Sequence, residues 1–407
     1  MIKKSKVTSV NLESLNNPQK TILMAQDKDP KTLNVPPLRF PGFTEEWKEC
    51  TIRDIAKIEK GNGISKDQLS EEGDECILYG ELYTKYKSEI IDEVYSKTKV
   101  DSTKLMRSQA NDVLIPCSGE TAEDIATARC VKMEGILLGG DLNIMRFDKQ
   151  DGAFMSYQLN GKRKYDIARV AQGVSVVHLY PEHLKSIKVV LPELEEQQKI
   201  VNLLSLIDQR IATQNKIIDN LQSLIKGLRE LLFKPLLSNF VKLGNIAKIN
   251  NGSGDVQDAI SNYQNGLYPF FDRSDDVKYF RDYSFDAEAI IYAGEGAEFL
   301  PRYYNGKFAL HQRCYAITTF ASNFLPRYIY HYLQTQNNYF IRNAVGSTVP
   351  SLRMDCFHKI SIPFANKHMQ EFIVKKLDTL CEKIDNEKHL LTLYQKQKAH
   401  LLQELFI

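Results

Sequence analysis

Apolar residues recur at alternating intervals of four and three positions through residues 196–233. This spacing is typical of a heptad seam, along which one long helix packs against another. Pro192 and the acidic residues after it suit a helix start, and Pro235 ends the helix because proline cannot continue a helix interior. Gln214 interrupts the seam, whose apolar members are Ile200, Leu204, Ile207, Ile211, Ile218, Leu221, Ile225, Leu228 and Leu232.

A second helix with the same seam is predicted over residues 369–406, at a constant offset of 173 positions from the first. Glu387 is polar at the position that corresponds to Gln214, and Lys398 departs from the apolar pattern. The apolar members of this seam are Ile373, Leu377, Leu380, Ile384, Leu391, Leu401 and Leu405. Because helical periodicity by itself produces such matches, the segments around the helices carry more weight.

Those flanking segments repeat as well. Residues 173–192 and 346–363 both begin with glycine and end with proline, one segment before each helix. Further upstream, residues 51–63 and 242–254 share the tetrapeptide Ile-Ala-Lys-Ile and aligned glycines. The parts follow one another in the same order in both halves, which predicts an internally duplicated chain.

A pair of long helices has two possible uses. It can be a hairpin that merely joins two domains, or it can be a rigid spacer. At about 1.5 Å per residue, about 33 helical residues span roughly 50 Å, which exceeds one turn of DNA at about 34–36 Å. We favour the spacer, mainly because of the resemblance described below.

Between the repeated segments, short apolar runs bounded by Gly, Asn and Asp predict strands of mixed α/β domains. The runs cover residues 112–115, 135–138, 289–292 and 314–317. Gly-Glu follows an apolar run in each half, as Gly119-Glu120 and Gly294-Glu295. We interpret this dipeptide as one motif in two copies, placed in a loop.

The net charge of +2, from 53 basic and 51 acidic residues, conceals a division in the second half. Residues 237–299 contain 5 basic and 10 acidic residues, whereas residues 300–363 contain 7 basic and 1 acidic, interleaved with aromatic residues. Lys162–Tyr165 is the counterpart in the first half. Because arginine pairs with phosphates and with guanine edges, this composition favours a nucleic-acid-binding face over a merely solvated surface.

Several classes of protein are excluded or disfavoured. No apolar run approaches the 18 or more residues of a membrane span, and the N-terminus lacks the apolar core of a secretory signal. The seven cysteines are scattered without a CxxC pair. We therefore expect a cytoplasmic chain without a disulfide framework, a zinc knuckle or a membrane partner.

Catalytic motifs are also missing. The chain has no P-loop and no HExxH spacing, and its one Pro-Pro pair, Pro36-Pro37, lacks the context of an amino-methyltransferase loop. Glu46-Trp47-Lys48 fits only the tail of a nuclease metal motif. We expect a chain that binds rather than catalyses, with no catalytic, metal or cofactor residues of its own.

The chain resembles the specificity subunit of type I restriction–modification systems. The resemblance covers nearly all of residues 36–407. The first copy carries it in Leu38–Phe43, Trp47-Lys48, Ile52, Ile55-Ala56 and Gly61, and the second copy in Leu243, Ile246-Ala247 and Gly252. Leu191-Pro192 and Ile362-Pro363, ahead of the two helices, also match.

The resemblance implies an α+β fold in which two mixed α/β target-recognition domains are joined by two long helices. These helices form an antiparallel coiled coil within an internal pseudo-two-fold repeat. The implied parts are a polar N-terminal arm (1–36) to which no role is assigned, recognition domain 1 (37–191), spacer helix 1 (192–235), recognition domain 2 (236–363) and spacer helix 2 (364–407).

The resemblance also implies a function. Each recognition domain would read one half of a bipartite, asymmetric site in double-stranded DNA, and the coiled coil would set the gap and dock two modification subunits. S-adenosylmethionine would bind to those subunits, and ATP and Mg²⁺ to added restriction (translocase) subunits. Two alternatives stay open: a coiled-coil adaptor without a DNA role, and a self-sufficient nuclease or methyltransferase.

Candidate DNA-binding residues follow from the basic and Gly-Glu segments. We expect basic side chains to contact phosphates and a few polar or arginine side chains to read base edges. The candidates are Ser118, Gly119, Glu120, Lys162, Arg163, Lys164 and Arg169 in the first domain, and Arg273, Ser274, Arg302, Arg313, Arg327 and Arg342 in the second.

Overall fold

The computed structural model describes residues 24–25, 34–173, 176–236 and 239–407. Most of the predicted N-terminal arm, 1–36, therefore lies outside the described residues. The chain divides into two units. Unit 1 comprises Met1–Thr213 and Thr392–Ile407, and unit 2 comprises Gln214–Leu391.

Unit 1 contains a five-stranded sheet in the order β4-β13-β9-β11-β7, a four-stranded sheet in the order β12-β6-β8-β5, and three strand pairs, β15-β3, β10-β14 and β1-β2. Its strands are β1 (Met24–Ala25), β2 (Leu38–Arg39), β3 (Lys48–Thr51), β4 (Ala56–Lys60), β5 (Leu69–Ser70), β6 (Asp74–Ile77), β7 (Ile90–Ile91), β8 (Ser96–Thr98), β9 (Asp112–Pro116), β10 (Ser118–Gly119), β11 (Arg129–Val131), β12 (Leu137–Leu138), β13 (Leu142–Phe147), β14 (Val177–His178) and β15 (Lys188–Leu191).

Short helices connect these strands. They are α1 (Ile52–Ile55), α2 (Glu81–Thr84), α3 (Ala122–Ile125), α4 (Gly152–Asn160), α5 (Lys164–Val170) and α6 (Pro181–Lys185). The Asp151 carboxylate caps α4 by accepting from the amides of Ala153 and Phe154, which fits the preference of acidic side chains for helix N-termini.

Unit 2 contains a six-stranded sheet in the order β17-β22-β20-β21-β18-β19 and the strand pair β16-β23. Its strands are β16 (Phe240–Lys242), β17 (Lys248–Asn251), β18 (Tyr268–Phe271), β19 (Lys278–Phe280), β20 (Phe285–Ala293), β21 (Arg302–Leu310), β22 (Cys314–Thr318) and β23 (Ser361–Pro363). Its short helices are α8 (Pro326–Leu333), α9 (Asn337–Asn343) and α10 (Met354–Lys359).

Two long helices complete the fold, α7 (Leu194–Phe233) and α11 (Lys367–Glu404). In unit 1 the segment of α7 that contains Asp208 contacts the segment of α11 that contains Lys398. In unit 2 the Gln214 amide donates to the Glu387 carboxylate at 2.5 Å. In unit 1 the start of α7 packs with the end of α11, and in unit 2 the end of α7 packs with the start of α11. The two helices are therefore antiparallel in each unit, as the resemblance implies.

The predicted internal repeat is confirmed in the hydrogen-bond ladders. In unit 1 the antiparallel strands β15 and β3 pair Lys188 with Thr51. In unit 2 the antiparallel strands β23 and β16 pair Ser361, which corresponds to Lys188, with Lys242, which corresponds to Thr51. Antiparallel ladders β4-β13-β9 and β17-β22-β20 form matching halves of the two larger sheets. These shared strand ladders form a scaffold that is the same in both domains, and the remaining, different strands of each domain are attached to it.

Two buried glutamines, one in each copy, make equivalent hydrogen bonds. Gln197 accepts from the amide of Asp151 and donates to the carbonyl of Pro192. Gln370, at the offset of 173, accepts from the amide of Leu325 and donates to the carbonyl of Ala365. Each glutamine thus joins the start of a long helix to the residue before α4 or α8.

Each unit has its own apolar core, and the long helices contribute to both. In unit 1, Ile200 and Leu204 pack with Leu401 and Leu405 in the cluster that holds Trp47. In unit 2, Ile225 packs with seam residues of α11 in the cluster that holds Tyr292 and Phe357. The seams therefore anchor the helices to the domains as well as to each other.

The predicted strands are present with small differences. Residues 112–115, 289–292 and 314–317 fall within β9, β20 and β22. Of residues 135–138, only Leu137 and Leu138 form a strand, because Gly135 has a φ of 83° and makes a turn. All seven cysteines are free, and no helix in the described ranges is both long and apolar enough to cross a membrane.

Candidate nucleic-acid interface

A cleft of about 550 Å³ opens in unit 2 beside the turn that joins β21 to β22. It brings together three predicted DNA-binding residues, Arg273, Ser274 and Arg313. The other lining residues are Val256, Asp272, Lys278, Glu295, His311 and Gln312. Sequence reasoning missed Lys278, His311 and Gln312. The signal was their short distance along the chain from the candidates Arg273 and Arg313.

The turn His311–Arg313 is held from several directions. The amide of His311 donates to the carbonyl of Phe271, and the amide of Gln312 donates to the carbonyl of Gly254. His311 Nδ1 accepts from the amide of Arg313 at 3.2 Å. The backbone of this turn is therefore fixed before any ligand binds.

Arg313 has one carboxylate partner. Its Nη1 donates to Glu295 at 2.7 Å, while 64% of the Arg313 side chain is exposed. Glu295 follows Gly294, and a Cβ on Gly294 would lie 1.9 Å from the carbonyl oxygen of Arg313. The Gly-Glu dipeptide thus lets the end of β20 approach the turn closely, and the carboxylate orients the guanidinium.

A second group of polar residues also lines the cleft. Asp272 accepts from Lys278 and from Ser274. Burial raises the pKa of Asp272 but these donors lower it further, so the net shift is downward and the carboxylate stays charged. Arg302 donates to the carbonyl of Ser274, which places it next to this group.

Arg327 is placed differently from the other candidates in unit 2. Its Nε and Nη2 both donate to Asp378 on α11, and its guanidinium lies 4.3 Å from the centre of the Tyr303 ring. An arginine held in this way fixes α8 to the long helix. We therefore leave Arg327 out of the interface, and the DNA contact predicted for it stays a prediction without support from the geometry.

In unit 1, Ser118 and Gly119 are buried and form β10, while Glu120 is exposed. The loop predicted for Gly119-Glu120 is therefore wrong for Gly119, which pairs with Val177 of β14. Ser118 Oγ donates to Asp141 at 3.2 Å. These contacts leave the Glu120 side chain as the exposed member of the predicted trio.

Exposed aromatic and basic side chains that were not predicted lie beside β10. His178 pairs with Ser118, and its ring stacks on Tyr180 with centroids 6.2 Å apart. Lys60 Nζ lies 6.0 Å from the centre of the Tyr180 ring. Tyr180 is 48% exposed, and its aromatic face with an adjacent cation is the composition that we expect of a nucleic-acid surface.

Lys162 and Arg163 lie between α4 and α5, and Lys164 is the first residue of α5. Arg163 donates to the carbonyl of Ile407 at 3.3 Å and lies 3.5 Å from Asp166, with only 20% of its side chain exposed. This geometry gives Arg163 intramolecular partners. The DNA contacts predicted for these three residues stay predictions.

Arg169 and Arg342 occupy equivalent positions at the offset of 173. Each lies in the last turn of a short helix, α5 or α9, and both are exposed. Gly173 and Gly346 follow in the two copies. The bridges Gln172–His178 in unit 1 and Val345–Ser351 in unit 2 join equivalent residues on either side of these glycines. Arg169 and Arg342, both predicted DNA-binding residues, therefore occupy the same place in the two copies of the scaffold.

The acidic and basic halves of unit 2 are interleaved in space. Strands β20 and β21 are antiparallel, so Asp286 of the acidic segment faces Lys307 of the basic segment. The pairs Arg313–Glu295 and Arg302–Asp275 also cross the boundary between the two segments. The basic segment therefore does not form one separate basic face: Arg313 lines the cleft, whereas Arg342 is not among the lining residues.

Thiol and metal chemistry have little support near the candidate residues. Burial raises the pKa of Cys117 and Cys314 to about 11, so both thiols are protonated at neutral pH. Among the described residues, no group of three or more His, Cys, Asp or Glu side chains is arranged to hold a metal ion.

Comparisons with known proteins identify a family. The model described as "Type I restriction modification DNA specificity domain" matches residues 44–223 and again residues 235–393. The matches cover both units and most of the long helices.

Individual relatives agree with this model. The chain is 31% identical over 148 residues to the Escherichia coli type I restriction enzyme EcoDI specificity subunit, covering 36% of this chain and 32% of that protein. It is 29% identical over 199 residues to the MjaVIII specificity subunit of Methanocaldococcus jannaschii, covering 48% and 43%. The matched regions thus span less than half the length of these relatives.

A solved structure has the same fold. The S subunit of a type I restriction–modification system from M. genitalium superposes with a TM-score of 0.63, covering 89% of this chain and 96% of that one. At 17% sequence identity, this similarity concerns the fold alone.

Proposed function

Because the chain belongs to the type I restriction–modification DNA specificity family, we propose that it selects the DNA site on which a type I complex acts. In this proposal each unit reads one half of a bipartite, asymmetric site in double-stranded DNA. The paired helices set the length of the gap between the halves.

One observation carries the proposal: the family domain is present twice, and each copy offers a different set of exposed cationic and aromatic groups on the same scaffold. An asymmetric target requires two reading surfaces that differ. Unit 2 offers the cleft around Arg273, Lys278 and Arg313, while unit 1 offers Lys60, His178 and Tyr180 beside β10.

We assign roles to the residues of the cleft from the contacts that orient each side chain. Arg313 is oriented by Glu295 on a fixed turn, which suits the bidentate reading of a guanine edge, and Gln312 beside it suits adenine. Arg273 is exposed next to the Asp272–Lys278 pair and suits a phosphate contact. We assign base reading to the turn and backbone contacts to Arg273.

Partner subunits complete the proposal. Two modification subunits would dock on this chain and bind S-adenosylmethionine, and restriction subunits would add ATP- and Mg²⁺-dependent translocation and cleavage. Part of the docking surface would be an apolar stripe of unit 2 on α7, formed by Ile217, Leu224 and Leu231 at heptad spacing with 36%, 53% and 66% exposure. At the offset of 173, Leu224 and Leu231 correspond to the polar residues Gln397 and Glu404, so α11 has no equivalent apolar stripe. We therefore assign the stripe to the docking of only one of the two modification subunits.

Docking can be tested by replacing Leu224 and Leu231 with lysine. We expect the doubly substituted chain to lose part of the modification subunit that co-purifies with the wild type. Lysine in place of Thr213, an exposed polar position on the same helix, is the matched control. Unchanged stoichiometry in the Leu224→Lys, Leu231→Lys chain would remove the stripe from the docking surface.

The central experiment measures DNA binding. The chain, purified with its modification subunits, is mixed with random duplex DNA at increasing salt concentrations in a gel-shift assay. We expect salt-sensitive binding, because phosphate contacts release counterions. Mapping methylated bases in cells with and without the chain then gives the target, and a bipartite motif that disappears with the chain is the expected result.

Other outcomes identify the alternatives. Absence of salt-sensitive binding would favour a coiled-coil adaptor without a DNA role. Methyl transfer from labelled S-adenosylmethionine, or magnesium-dependent DNA cleavage by the isolated chain, would overturn the proposal that all catalysis resides in the partners.

A further inference from the structure

Two segments that surround the candidate interface keep the same residues in both copies. Residues 169–179 and 342–352 share the pattern Arg-x-Ala-x-Gly-x-x-Val-x-x-Leu at the constant offset of 173. Most of the positions between and beside them differ between the copies. Each shared residue therefore serves something that the two units have in common.

Some of the shared residues are explained by the fold. Leu179 and Leu352 are buried in the cores of their units. Gly173 and Gly346 have φ values of 130° and 103°, which other residues rarely adopt. In each copy a Cβ on the glycine would lie too close to the carbonyl oxygen of the valine three residues later, at 2.0 Å and 2.8 Å. The two turns are thus built in the same way.

Folding does not explain the two arginines. The Arg169 side chain is 67% exposed, and its one ion pair with a residue that the structure describes is a 3.7 Å contact with Asp166. At the offset of 173, Asp166 corresponds to Tyr339, so that ion pair has no counterpart in unit 2. Arg342 is exposed and makes no ion pair with any residue in the described part of the chain. The copies share the cation but not an intramolecular partner for it.

Each arginine lies beside the surface that we assign to DNA in its own unit. In unit 1 the turn after Arg169 ends at His178, which pairs with Ser118 and stacks on Tyr180. In unit 2 the turn after Arg342 ends at Ser351, which bridges to Glu295, the partner of Arg313. The two arginines therefore have the same position relative to the reading surfaces.

We propose that Arg169 and Arg342 are equivalent phosphate anchors, one for each half of the DNA site; this inference rests on the proposed function. The halves of an asymmetric target differ in base sequence but share the sugar-phosphate backbone. A cation kept in both copies therefore suits the phosphate, whereas residues that differ between the copies, such as Arg313, suit the bases.

The test uses the full chain purified with its modification subunits, and duplexes that contain or lack the mapped target. We expect Arg169→Ala and Arg342→Ala each to weaken binding to both duplexes by about 10-fold. Each substitution should also reduce the slope of log K against log salt by about 1, and the double variant by about 2. The methylated motif should not change, and lysine at either position should restore most of the slope.

Arg53→Ala is the matched control. The Arg53 side chain is 66% exposed and makes a 3.5 Å contact with Glu182, much like Arg169 with Asp166, but Gly244 occupies its position in the second copy. We expect Arg53→Ala to leave the salt slope unchanged. By contrast, Arg313→Ala should relax the motif at one position of one half-site.

The failures of this inference and of the proposed function differ. If the wild type binds DNA with a salt-dependent slope while Arg169→Ala and Arg342→Ala behave like Arg53→Ala, the two arginines are not phosphate anchors. If these variants instead lose modification subunits on size exclusion with an unchanged slope, the shared cations contact protein, and the inference is overturned. A wild type that shows no salt-dependent DNA binding refutes the proposed function itself.

Discussion

At the scale of single residues, buried charges hold the ends of the long helices. Arg39 lies in the segment Leu38–Phe43, near the start of the first domain. Its Nε and Nη2 donate to the Glu196 carboxylate at 2.8 and 2.9 Å. The side chains of Arg39 and Glu196 are both almost fully buried. Arg39 Nη2 also donates to the carbonyl of Glu45. The first turn of α7 is thereby fixed to the start of the first domain.

Removing one member of this pair should destabilise unit 1. We expect Arg39→Met to lower the free energy of unfolding by about 3–5 kcal/mol, because it leaves a buried carboxylate unpaired. The double variant Arg39→Met, Glu196→Met should regain part of that loss. Urea unfolding followed by the fluorescence of Trp47, the one tryptophan of the chain and buried in the same core, is the measurement.

Arg53→Met provides the control for this prediction. Arg53 pairs with Glu182 at the surface, so its loss should change stability by less than about 1 kcal/mol. Equal effects of Arg39→Met and Arg53→Met would mean that the buried pair adds nothing to the attachment of α7.

A second residue cluster makes unit 2 sensitive to acid. His331 Nε2 lies 2.7 Å from the Asp378 carboxylate, which also pairs with Arg327. Burial lowers the pKa of His331 more than the hydrogen bond to Asp378 raises it, and His331 Nδ1 is buried without a partner among the described atoms. Burial raises the pKa of Asp378, but hydrogen bonds from His331 and Arg327 lower it further.

Both shifts predict that stability falls as pH falls. The unfolded histidine takes up a proton near pH 6.5 while the folded one stays neutral, so unfolding gains protons below that pH. The contribution of Asp378 is lost only at lower pH, as the carboxylate is protonated below its usual range near pH 4. We expect urea unfolding of unit 2 to show a decline in stability from pH 7 to pH 5 that is smaller in His331→Gln. The same decline in both chains would contradict the assignment to His331.

At the scale of elements, the departure of Lys398 from the heptad pattern has a structural cause. Lys398 on α11 lies 2.5 Å from Glu89 and 2.6 Å from Asp208 on α7. Asp208 also accepts from the Tyr157 hydroxyl at 2.7 Å. Burial, followed by the neighbouring Asp208 carboxylate, raises the pKa of Tyr157, so this hydroxyl remains a donor.

The equivalent positions in unit 2 carry uncharged residues of its core. At the offset of 173, Asp208 corresponds to Cys381 and Lys398 corresponds to Ile225. The two ends of the helical pair are thus chemically different although the helices match in length and spacing. Such a polar contact disfavours an alternative pairing in which the two ends exchange places.

Replacement of Lys398 by isoleucine should therefore not be neutral. We expect Lys398→Ile to destabilise unit 1 by about 3–5 kcal/mol, because two buried carboxylates lose their cation. Adding Asp208→Cys and Glu89→Gln, which imitates the apolar arrangement of unit 2, should recover part of the loss. Trp47 fluorescence in urea reports both effects, and Lys396→Ile at an exposed position of α11 is the control. A stable Lys398→Ile chain would contradict this role.

At the scale of the whole molecule, the shared scaffold links two different reading surfaces to one pair of helices. Gln214 and Glu387 contact each other and are themselves related by the offset of 173. A contact between equivalent residues marks the centre of an antiparallel pair. It is also the place where the helices can be lengthened without altering either core.

A heptad inserted into both helices at Gln214 and Glu387 tests the proposed spacer. Seven helical residues add about 10 Å. We expect the unread gap of the DNA target to lengthen by about three base pairs, at about 3.4 Å each. Mapping methylated bases gives the gap directly, and insertion into one helix only should abolish specific methylation. An unchanged gap would mean that the helices do not set it.

The sequence by itself was sufficient for the repeat, the long helices and most of the central strands. These features depend on the spacing of apolar residues within a segment and on the order of segments along the chain. Both can be read directly from the sequence. The shared Arg169 and Arg342 could also have been recognised from the sequence, because both follow from the offset of 173. The loop predicted at Gly119 was wrong because the backbone there pairs with Val177, a contact that lies far along the chain.

The tertiary structure decided which charges remain available. The pairing of β20 with β21 brings acidic and basic segments together, so the basic segment does not form a separate face, and Arg313 lines a cleft to which both segments contribute. Arg327 and Arg163 look like DNA contacts in the sequence, yet the fold gives them Asp378 and Ile407 as partners. A side chain's partners depend on burial and on strands far apart in sequence, and local patterns do not encode those contacts.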